Sequence, residues 1–275
     1  MNTKEIMDIA LELAGLTEIP ADSAILVPGE NIKKVLVGVD MGTAELLLAK
    51  ELGVDCVIGH HPVGGTARAN FTEVMDSQID RMVKAGVPIN KAEKALAKKR
   101  GKVERGTHVR NYDTVHSAAK LLGMPLLSIH TPADILAENI VQEVMDKVYA
   151  KNNNCKISDL IHALNEMPEY QRDLNKPVVR VGSKENYSGR PFVTMAGGTG
   201  GGPDVLKAYF EAGVGTIVAM HIPEEDIKAV KEQNIGNVLV AGHMSSDSVG
   251  INAFLKVLED KGIEVIRMSG VIDPH

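Results

Sequence analysis

The sequence has no tryptophan, and its only other aromatic residues besides histidine are four phenylalanines and five tyrosines among 275 residues. A core must therefore be built from aliphatic side chains and methionine. The two cysteines, Cys56 and Cys155, are too few for a disulfide framework or a cysteine-based zinc site. No run approaches the roughly 18 apolar residues of a membrane span. The formal net charge of -6 argues against a general nucleic-acid surface.

What the sequence does contain is enough hydrophobic material, 44% of residues, for one large domain or two interlocked ones. Its first segment, Met1 to Leu13, includes four charged residues and therefore predicts an amphipathic helix rather than a secretory signal. We expect a cytoplasmic protein.

Short apolar runs alternate with amphipathic helical stretches along the chain. Such runs are typical of strands buried on both faces of a mainly parallel α/β sheet. They cover residues 35–39, 54–59, 125–129, 192–196, 216–220 and 238–242. In open α/β sheets, ligands bind beyond the carboxyl ends of the strands. Nearly every reactive side chain of this sequence comes directly after such a run.

Three segments interrupt this pattern, one of them a turn or loop over residues 183–190. Residues 76–105 are helical and basic, which indicates either a solvated helix face or a surface that attracts an anionic substrate. The asparagine-rich break near 151–156 is the best candidate for an internal boundary. No convincing repeat or low-complexity tract is present.

The adjacent pair His60-His61, followed by Pro62, ends one apolar run. Imidazole is the commonest protein ligand for metal ions near neutral pH, and two adjacent histidines can serve two neighbouring ions. The alternative is a polar turn that Pro62 terminates. His243 and Asp247 are four residues apart and would share one helix face, which suits a common metal ion.

Simpler roles are open for several of these residues. Ser245 or Ser246 could cap the helix that contains Asp247. Asp134, in the sequence His130-Thr131-Pro132-Ala133-Asp134, could cap the following helix. The glycine-rich loop 197–202 has the context of a phosphate cradle but lacks both familiar motifs, so a flexible loop is at least as well supported. His221 follows a strand and precedes acidic residues, which favours a place near the active site over direct ligation.

Taken together, these motifs resemble those of the NIF-three-like proteins, known as GTP cyclohydrolase 1 type 2 homologues. The resemblance spans most of the chain and rests on four segments in the family's order. They are Gly38-Val39-Asp40, Val57-Ile58-Gly59-His60-His61-Pro62, His130-Thr131-Pro132-Ala133-Asp134, and Ala241-Gly242-His243-Met244-Ser245-Ser246-Asp247.

This resemblance implies one NIF-three-like unit over residues 1–275, built as two interlinked α/β lobes with mainly parallel strands and a dinuclear metal centre in the cleft between them. The implied ligands are His60, His61, Asp134, His243 and Asp247. The ions would be zinc, iron or manganese, and the chains would form a hexameric ring. The sequence departs from the family in two ways. Asp247 replaces the family's usual glutamate, and the region 66–120 is a longer, helical and basic insertion.

The resemblance also implies a metal-dependent hydrolase acting on a nucleotide or another phosphorylated small molecule. Two divalent ions would activate a hydroxide as nucleophile, and His221 or His130 would transfer protons. The alternative is a non-catalytic metal-binding protein with a regulatory or metal-delivery role. A third possibility is an oligomer in which the ions only stabilise the ring.

Overall fold

A computed structural model describes residues 1–275 and contains nine β-strands in two separate sheets. Their bounds, in chain order, are β1 Ser23–Val27, β2 Lys34–Gly38, β3 Cys56–Gly59, β4 Leu126–Ile129, β5 Val178–Val181, β6 Arg190–Thr194, β7 Val214–Ala219, β8 Asn237–Val240 and β9 Glu264–Met268.

Twelve α-helices connect the strands, together with a short 3₁₀-helix at Phe71–Asp76. The α-helices are α1 Thr3–Ala14, α2 Thr43–Glu51, α3 Gly65–Ala69, α4 Ser77–Lys84, α5 Ile89–Thr107, α6 Thr114–Leu122, α7 His130–Lys151, α8 Ile157–Asn165, α9 Pro168–Arg172, α10 Pro203–Glu211, α11 Glu224–Gln233 and α12 His243–Asp260. None of them is both long enough and apolar enough to cross a lipid bilayer.

The first compact unit comprises Met1–Val74, Glu104–Leu136 and Asp247–Asp273. Its sheet has the strand order β1-β4-β3-β2-β9. Three of its pairings are parallel, and only β1 runs antiparallel to its neighbour β4. Every residue of β3 and β4 is buried, as expected for parallel strands covered on both faces.

The second compact unit comprises Met75–Val103, Ala137–Ser246 and Pro274–His275. Its sheet has the order β5-β8-β7-β6, with β6, β7 and β8 parallel and β5 antiparallel at one edge. The prediction of an α/β fold with two mainly parallel sheets is therefore confirmed. The chain passes from one unit to the other within the 3₁₀-helix, α5, α7 and α12, and again before Pro274. Residues 151–156 connect α7 to α8 inside the second unit.

The basic region is divided more finely than the sequence indicates. Its helical part consists of α4 and α5, which are separated by a turn at Gly86, where φ is +102°. Three cations of α5 form ion pairs within the second unit: Lys91 with Glu211, Arg100 with Asp76, and Lys102 with Glu225. Three of the seven cations of α5 are therefore paired with neighbouring carboxylates.

The β6 edge of the second sheet is covered by side chains of a helix rather than by another strand. Glu138 of α7 accepts hydrogen bonds from the backbone N–H groups of Met195 and Ala196, each at 2.9 Å. Gln142, one turn further along α7, accepts from Val193 N at 2.7 Å. Arg81 of α4 pairs with Glu138 at 2.8 Å. An edge strand with unpaired backbone groups invites association with other chains, and these contacts satisfy them.

Candidate metal centre

The histidine pair lies at the carboxyl end of the first unit's sheet. His60 and His61 directly follow β3, and the ladder between β2 and β3 continues through them. His60 N donates to Gly38 O, and His61 N donates to Val39 O, both at 2.9 Å. Because these backbone bonds fix the direction of the chain, both imidazole rings are held at the end of the sheet.

A second segment reaches the same edge from β4, the parallel neighbour of β3. His130 is the first residue of α7, and Asp134 lies one turn later on the same helix face. The alternative that Asp134 caps this helix is wrong, because α7 begins four residues before it. The rings of His60 and His130 and the carboxyl group of Asp134 therefore belong to one cluster. The ring centroids of His60 and His130 are 4.9 Å apart.

Asp247 of α12 completes a buried group with His60 and Asp134. His60 Nε2 lies 3.3 Å from Asp134 Oδ1 and 3.6 Å from Asp247 Oδ1. The exposed fractions of the three side chains are 1%, 4% and 0%. One ligand atom from each residue lies within 4.8 Å of the others, and the same holds for the set His60, His61 and His130. Imidazole nitrogen and carboxylate oxygen together suit several divalent transition metals.

His60 is the most unusual member of this cluster. Burial lowers the pKa of His60. The nearby carboxylates of Asp247 and Asp134 outweigh this effect and raise the pKa to about 10. Neither ring nitrogen makes a hydrogen bond. Buried polar groups are nearly always hydrogen-bonded. A buried imidazole that faces two carboxyl groups, with no hydrogen bond at either nitrogen, is suited to bind a metal ion.

The other two histidines each have a carboxylate at Nδ1. His61 Nδ1 lies 2.8 Å from Asp40 Oδ1, and His130 Nδ1 lies 2.6 Å from Asp22 Oδ2. Their Nε2 atoms lie 3.6 Å from Asp247 Oδ2 and 3.7 Å from Asp134 Oδ2, respectively. Histidines that bind metal ions commonly have such an outer partner, because it fixes the tautomer and the ring orientation.

The charges around these two rings shift their pKa values in opposite directions. Burial and the neighbouring charge of His60 lower the pKa of His61. Burial also lowers the pKa of His130, but Asp134 and Asp22 outweigh it and leave that pKa raised. Burial alone would raise the pKa of Asp22. The hydrogen bonds from His130 and Thr131 and the charge of His130 outweigh burial, so the pKa of this carboxyl group is lowered.

His243 and His221 belong to the second unit. His243 is the first residue of α12, one turn before Asp247, so both side chains lie on one face of that helix. His221 follows β7, and its ring centroid lies 4.8 Å from that of His243. The helix is not capped by Ser245 or Ser246, because it begins before them. Instead, Ser245 N donates to Asp173 Oδ2 at 3.1 Å.

The fold matches those of solved protein structures. A crystal structure of a NIF3 superfamily protein from Sphaerobacter thermophilus is 39% identical, with 98% of each chain covered and a TM-score of 0.95. Residues 103–274 match the family described as Duf34/NIF3, NGG1p interacting factor 3.

The chain belongs to the Duf34/NIF3 family.

More distant structures share the fold of this Duf34/NIF3 chain. Reduced HcgD from Methanocaldococcus jannaschii is 16% identical, with 97% of each chain covered and a TM-score of 0.59. A Bacillus cereus protein related to NIF3 is 9% identical, with 98% of this chain and 96% of that chain covered and a TM-score of 0.55. A comparison with curated proteins finds no match.

The glycine-rich loop 197–202 of this Duf34/NIF3 protein is occupied by a side chain. Gln78 of α4 donates from Nε2 to Gly197 O at 2.7 Å and to Thr199 O at 2.6 Å. A Cβ atom added at Gly197 would lie 2.6 Å from Gln78 Cγ, and one at Gly201 would lie 2.5 Å from Gln78 Oε1. Gly197 and Gly201 therefore make room for the Gln78 side chain.

Asp22 and Asp40 are the two site residues to which sequence reasoning gave no role. Asp40 follows β2 and belongs to a motif of the family resemblance, so its place after a strand was an available signal. Asp22 precedes β1, a strand outside the predicted apolar runs, and its partner His130 is 108 residues away. No local pattern points to that pairing.

Proposed function

We propose that this protein is a hydrolase that binds two divalent metal ions and uses them in catalysis. The proposed ligands are His60, His61, Asp134, His243 and Asp247, and zinc, iron or manganese suits this donor set. The observation that supports it best is the buried ring of His60, which faces two carboxyl groups without a hydrogen bond at either nitrogen. His243 joins the set because it lies one helical turn before Asp247.

The residues present suit the chemistry of hydrolysis. A bound divalent ion lowers the pKa of a coordinated water towards neutrality and stabilises negative charge on the leaving group. Asp134 and Asp247 supply the buried negative charge that holds a cation. His130 has its Nδ1 atom committed to Asp22, so Nε2 is the atom at which it can transfer a proton or bind an ion. His221 is exposed and contacts His243, so it can exchange protons with solvent.

The proposed substrate is a nucleotide or another phosphorylated small molecule. This class follows from the resemblance to GTP cyclohydrolase 1 type 2 homologues and is consistent with the basic helix α5. Its positive residues would raise the local concentration of an anion. From the same resemblance we propose a homohexameric ring, which light scattering coupled to size-exclusion chromatography would measure.

A second candidate function is a metal-binding role without turnover, in regulation or metal delivery. One observation favours it: the side chains of His60, Asp134 and Asp247 are almost completely buried. Metal sites whose ligands enclose the ion are typical of structural roles, whereas catalytic sites keep an open position. His61, which is 26% exposed, is the member of the cluster through which a substrate could approach.

Elemental analysis of protein purified without chelators or nickel resin tests the proposal. We expect about two ions per chain in the wild type, fewer in Asp134→Asn, and no change in Asp260→Asn, which alters an exposed carboxylate of α12. Wild type and variants are then assayed for hydrolysis of GTP and of phosphate monoesters. Turnover that falls with metal content supports the hydrolase. Metal without turnover favours the second function, and absence of metal from folded protein overturns both.

A further inference from the structure

Two of the three clustered histidines are each paired with a carboxylate, but the two pairs differ in their surroundings. The Asp40 side chain, which contacts His61, is 74% exposed. The Asp22 side chain, which contacts His130, is 0% exposed. Solvent and salt weaken an exposed ion pair, whereas a buried pair keeps its strength. The pair of Asp22 and His130 is therefore the one able to control the geometry of the cluster.

The Asp22 carboxylate is held by three neighbours. Its Oδ2 atom accepts from His130 Nδ1 at 2.6 Å and from Thr131 Oγ1 at 2.8 Å. Ser23 Oγ donates to Oδ1 at 3.3 Å. Because the carboxylate receives its hydrogen bonds from two successive residues at the start of α7, both its position and the rotation of the His130 ring are fixed.

This arrangement determines which nitrogen of His130 faces the cluster. With the proton on Nδ1 shared with Asp22, the lone pair of a neutral ring is on Nε2. That atom lies 3.7 Å from Asp134 Oδ2. The ring centroids of His60 and His61 lie 4.9 and 5.5 Å from the His130 centroid. The Phe71 ring, 5.8 Å away, packs near the same imidazole.

We propose that His130 is an additional metal ligand through Nε2 and that Asp22 is its positioning residue: Asp22 holds the ring in the Nδ1-protonated tautomer, which leaves the Nε2 lone pair available to an ion. The inference rests on the proposed metal-binding function and assigns a role to Asp22, which would touch no ion. A buried carboxylate also makes the imidazole a stronger electron donor, because the hydrogen bond to a charged acceptor polarises the ring.

A purely structural role for Asp22 is the competing explanation, since the same carboxylate anchors the first turn of α7 through Thr131. The variant Thr131→Val distinguishes a role in positioning His130 from a role in anchoring the helix. It removes the second hydrogen bond of Asp22 while leaving the His130 contact in place, and valine has nearly the volume of threonine. If Asp22 only anchors the helix, Thr131→Val and Asp22→Ala should affect metal affinity alike.

The experiment measures zinc affinity, by competition with a chromophoric chelator, on metal-stripped and reloaded protein. We expect Asp22→Ala to bind zinc about 10- to 100-fold more weakly than wild type. Thr131→Val should remain within about twofold while its thermal midpoint falls. Asp40→Ala should lose no more than about fivefold, because its pair is exposed. If Asp22→Ala fails to fold, Asp22→Asn keeps the volume and removes the charge, and it should also bind zinc more weakly.

Long-range ¹H–¹⁵N spectra of the zinc-loaded protein supply a second readout. They should show His130 protonated at Nδ1 in the wild type and an altered pattern in Asp22→Asn. Wild-type zinc affinity in a folded Asp22→Ala would overturn the inference and leave the metal-binding function intact. Failure of the wild-type protein to bind zinc, iron or manganese would overturn both.

Discussion

The Nε2 atom of His60 lies 3.3 Å from the Oδ1 atom of Asp134, and both side chains are almost completely buried. Burial of ionisable groups is costly unless their charges are compensated. Asp247 adds a second carboxyl group, 3.6 Å from the same nitrogen. One imidazole facing two carboxyl groups leaves an excess of negative charge, which a divalent cation would neutralise. Binding of a metal ion should therefore stabilise the folded protein.

Removal of the metal is expected to lower thermal stability. A ligand present at 100 times its Kd stabilises the folded state by about 2.7 kcal/mol, so chelation should lower Tm by about 5–10 °C. Scanning calorimetry with and without EDTA measures this shift. His60→Ala should lose the shift, whereas His162→Ala, at a side chain that is 80% exposed, should retain it. An equal shift in wild type and His60→Ala would contradict the proposed ligand set.

The Glu138 side chain should be important for the stability of the second unit. Glu138→Ala leaves the N–H groups of Met195 and Ala196 without their acceptor and removes the partner of Arg81. We expect a loss of about 2–3 kcal/mol in the free energy of unfolding, measured in urea. Glu143→Ala, at an exposed position of the same helix, should change it by less than about 0.5 kcal/mol. Equal stabilities of the two variants would show that this edge does not need Glu138.

Replacing Gln78 should loosen the glycine-rich loop. In Gln78→Ala the carbonyl groups of Gly197 and Thr199 lose their donor, and the space that the glycines leave is no longer filled. Limited proteolysis should cut residues 197–202 faster than in the wild type, because cleavage follows local opening. Gln171→Ala, at an exposed glutamine with one long hydrogen bond of 3.4 Å, is the matched control. Unchanged cleavage in Gln78→Ala would mean that the loop is ordered by other contacts.

The buried thiol of Cys56 should make stability fall at alkaline pH. Burial, with a smaller contribution from the charge of Asp55, raises its pKa above the ordinary value of 9.0. The unfolded thiol loses its proton above about pH 9 while the folded thiol keeps it. The stabilising contribution is therefore complete below pH 9 and declines by up to about 1.4 kcal/mol per pH unit above it.

Cys56→Ala should remove that decline from the pH dependence of the unfolding free energy. Val57→Ala, a truncation at the next buried position of β3, should lower stability at every pH and leave the alkaline slope unchanged. Chemical unfolding between pH 7.5 and about pH 10.5 measures both slopes. A slope in Cys56→Ala equal to that of the wild type would show that this thiol does not titrate with unfolding.

The central strands were predictable, and three of the four edge strands were not. Central parallel strands such as β3 and β4 are buried on both faces, so they form continuous apolar runs that identify them. The edge strands β1, β5 and β9 did not fall in any predicted run. In β5 and β9 most residues are only partly buried or exposed, and their sequences mix charged with apolar residues. Their pairing depends on neighbours that are distant along the chain.

The sequence by itself determined the α/β class, the family and the strand-end positions of His60, His61, His130 and His243, because local hydrophobic periodicity and short motifs record them. Only the tertiary structure showed that Asp22 contacts His130 and that Gln78 fills the glycine-rich loop. These partners are separated by 108 residues in the first case and by 119 or more in the second. Contacts over such separations arise from the order of strands in a sheet, which no local pattern of residues specifies.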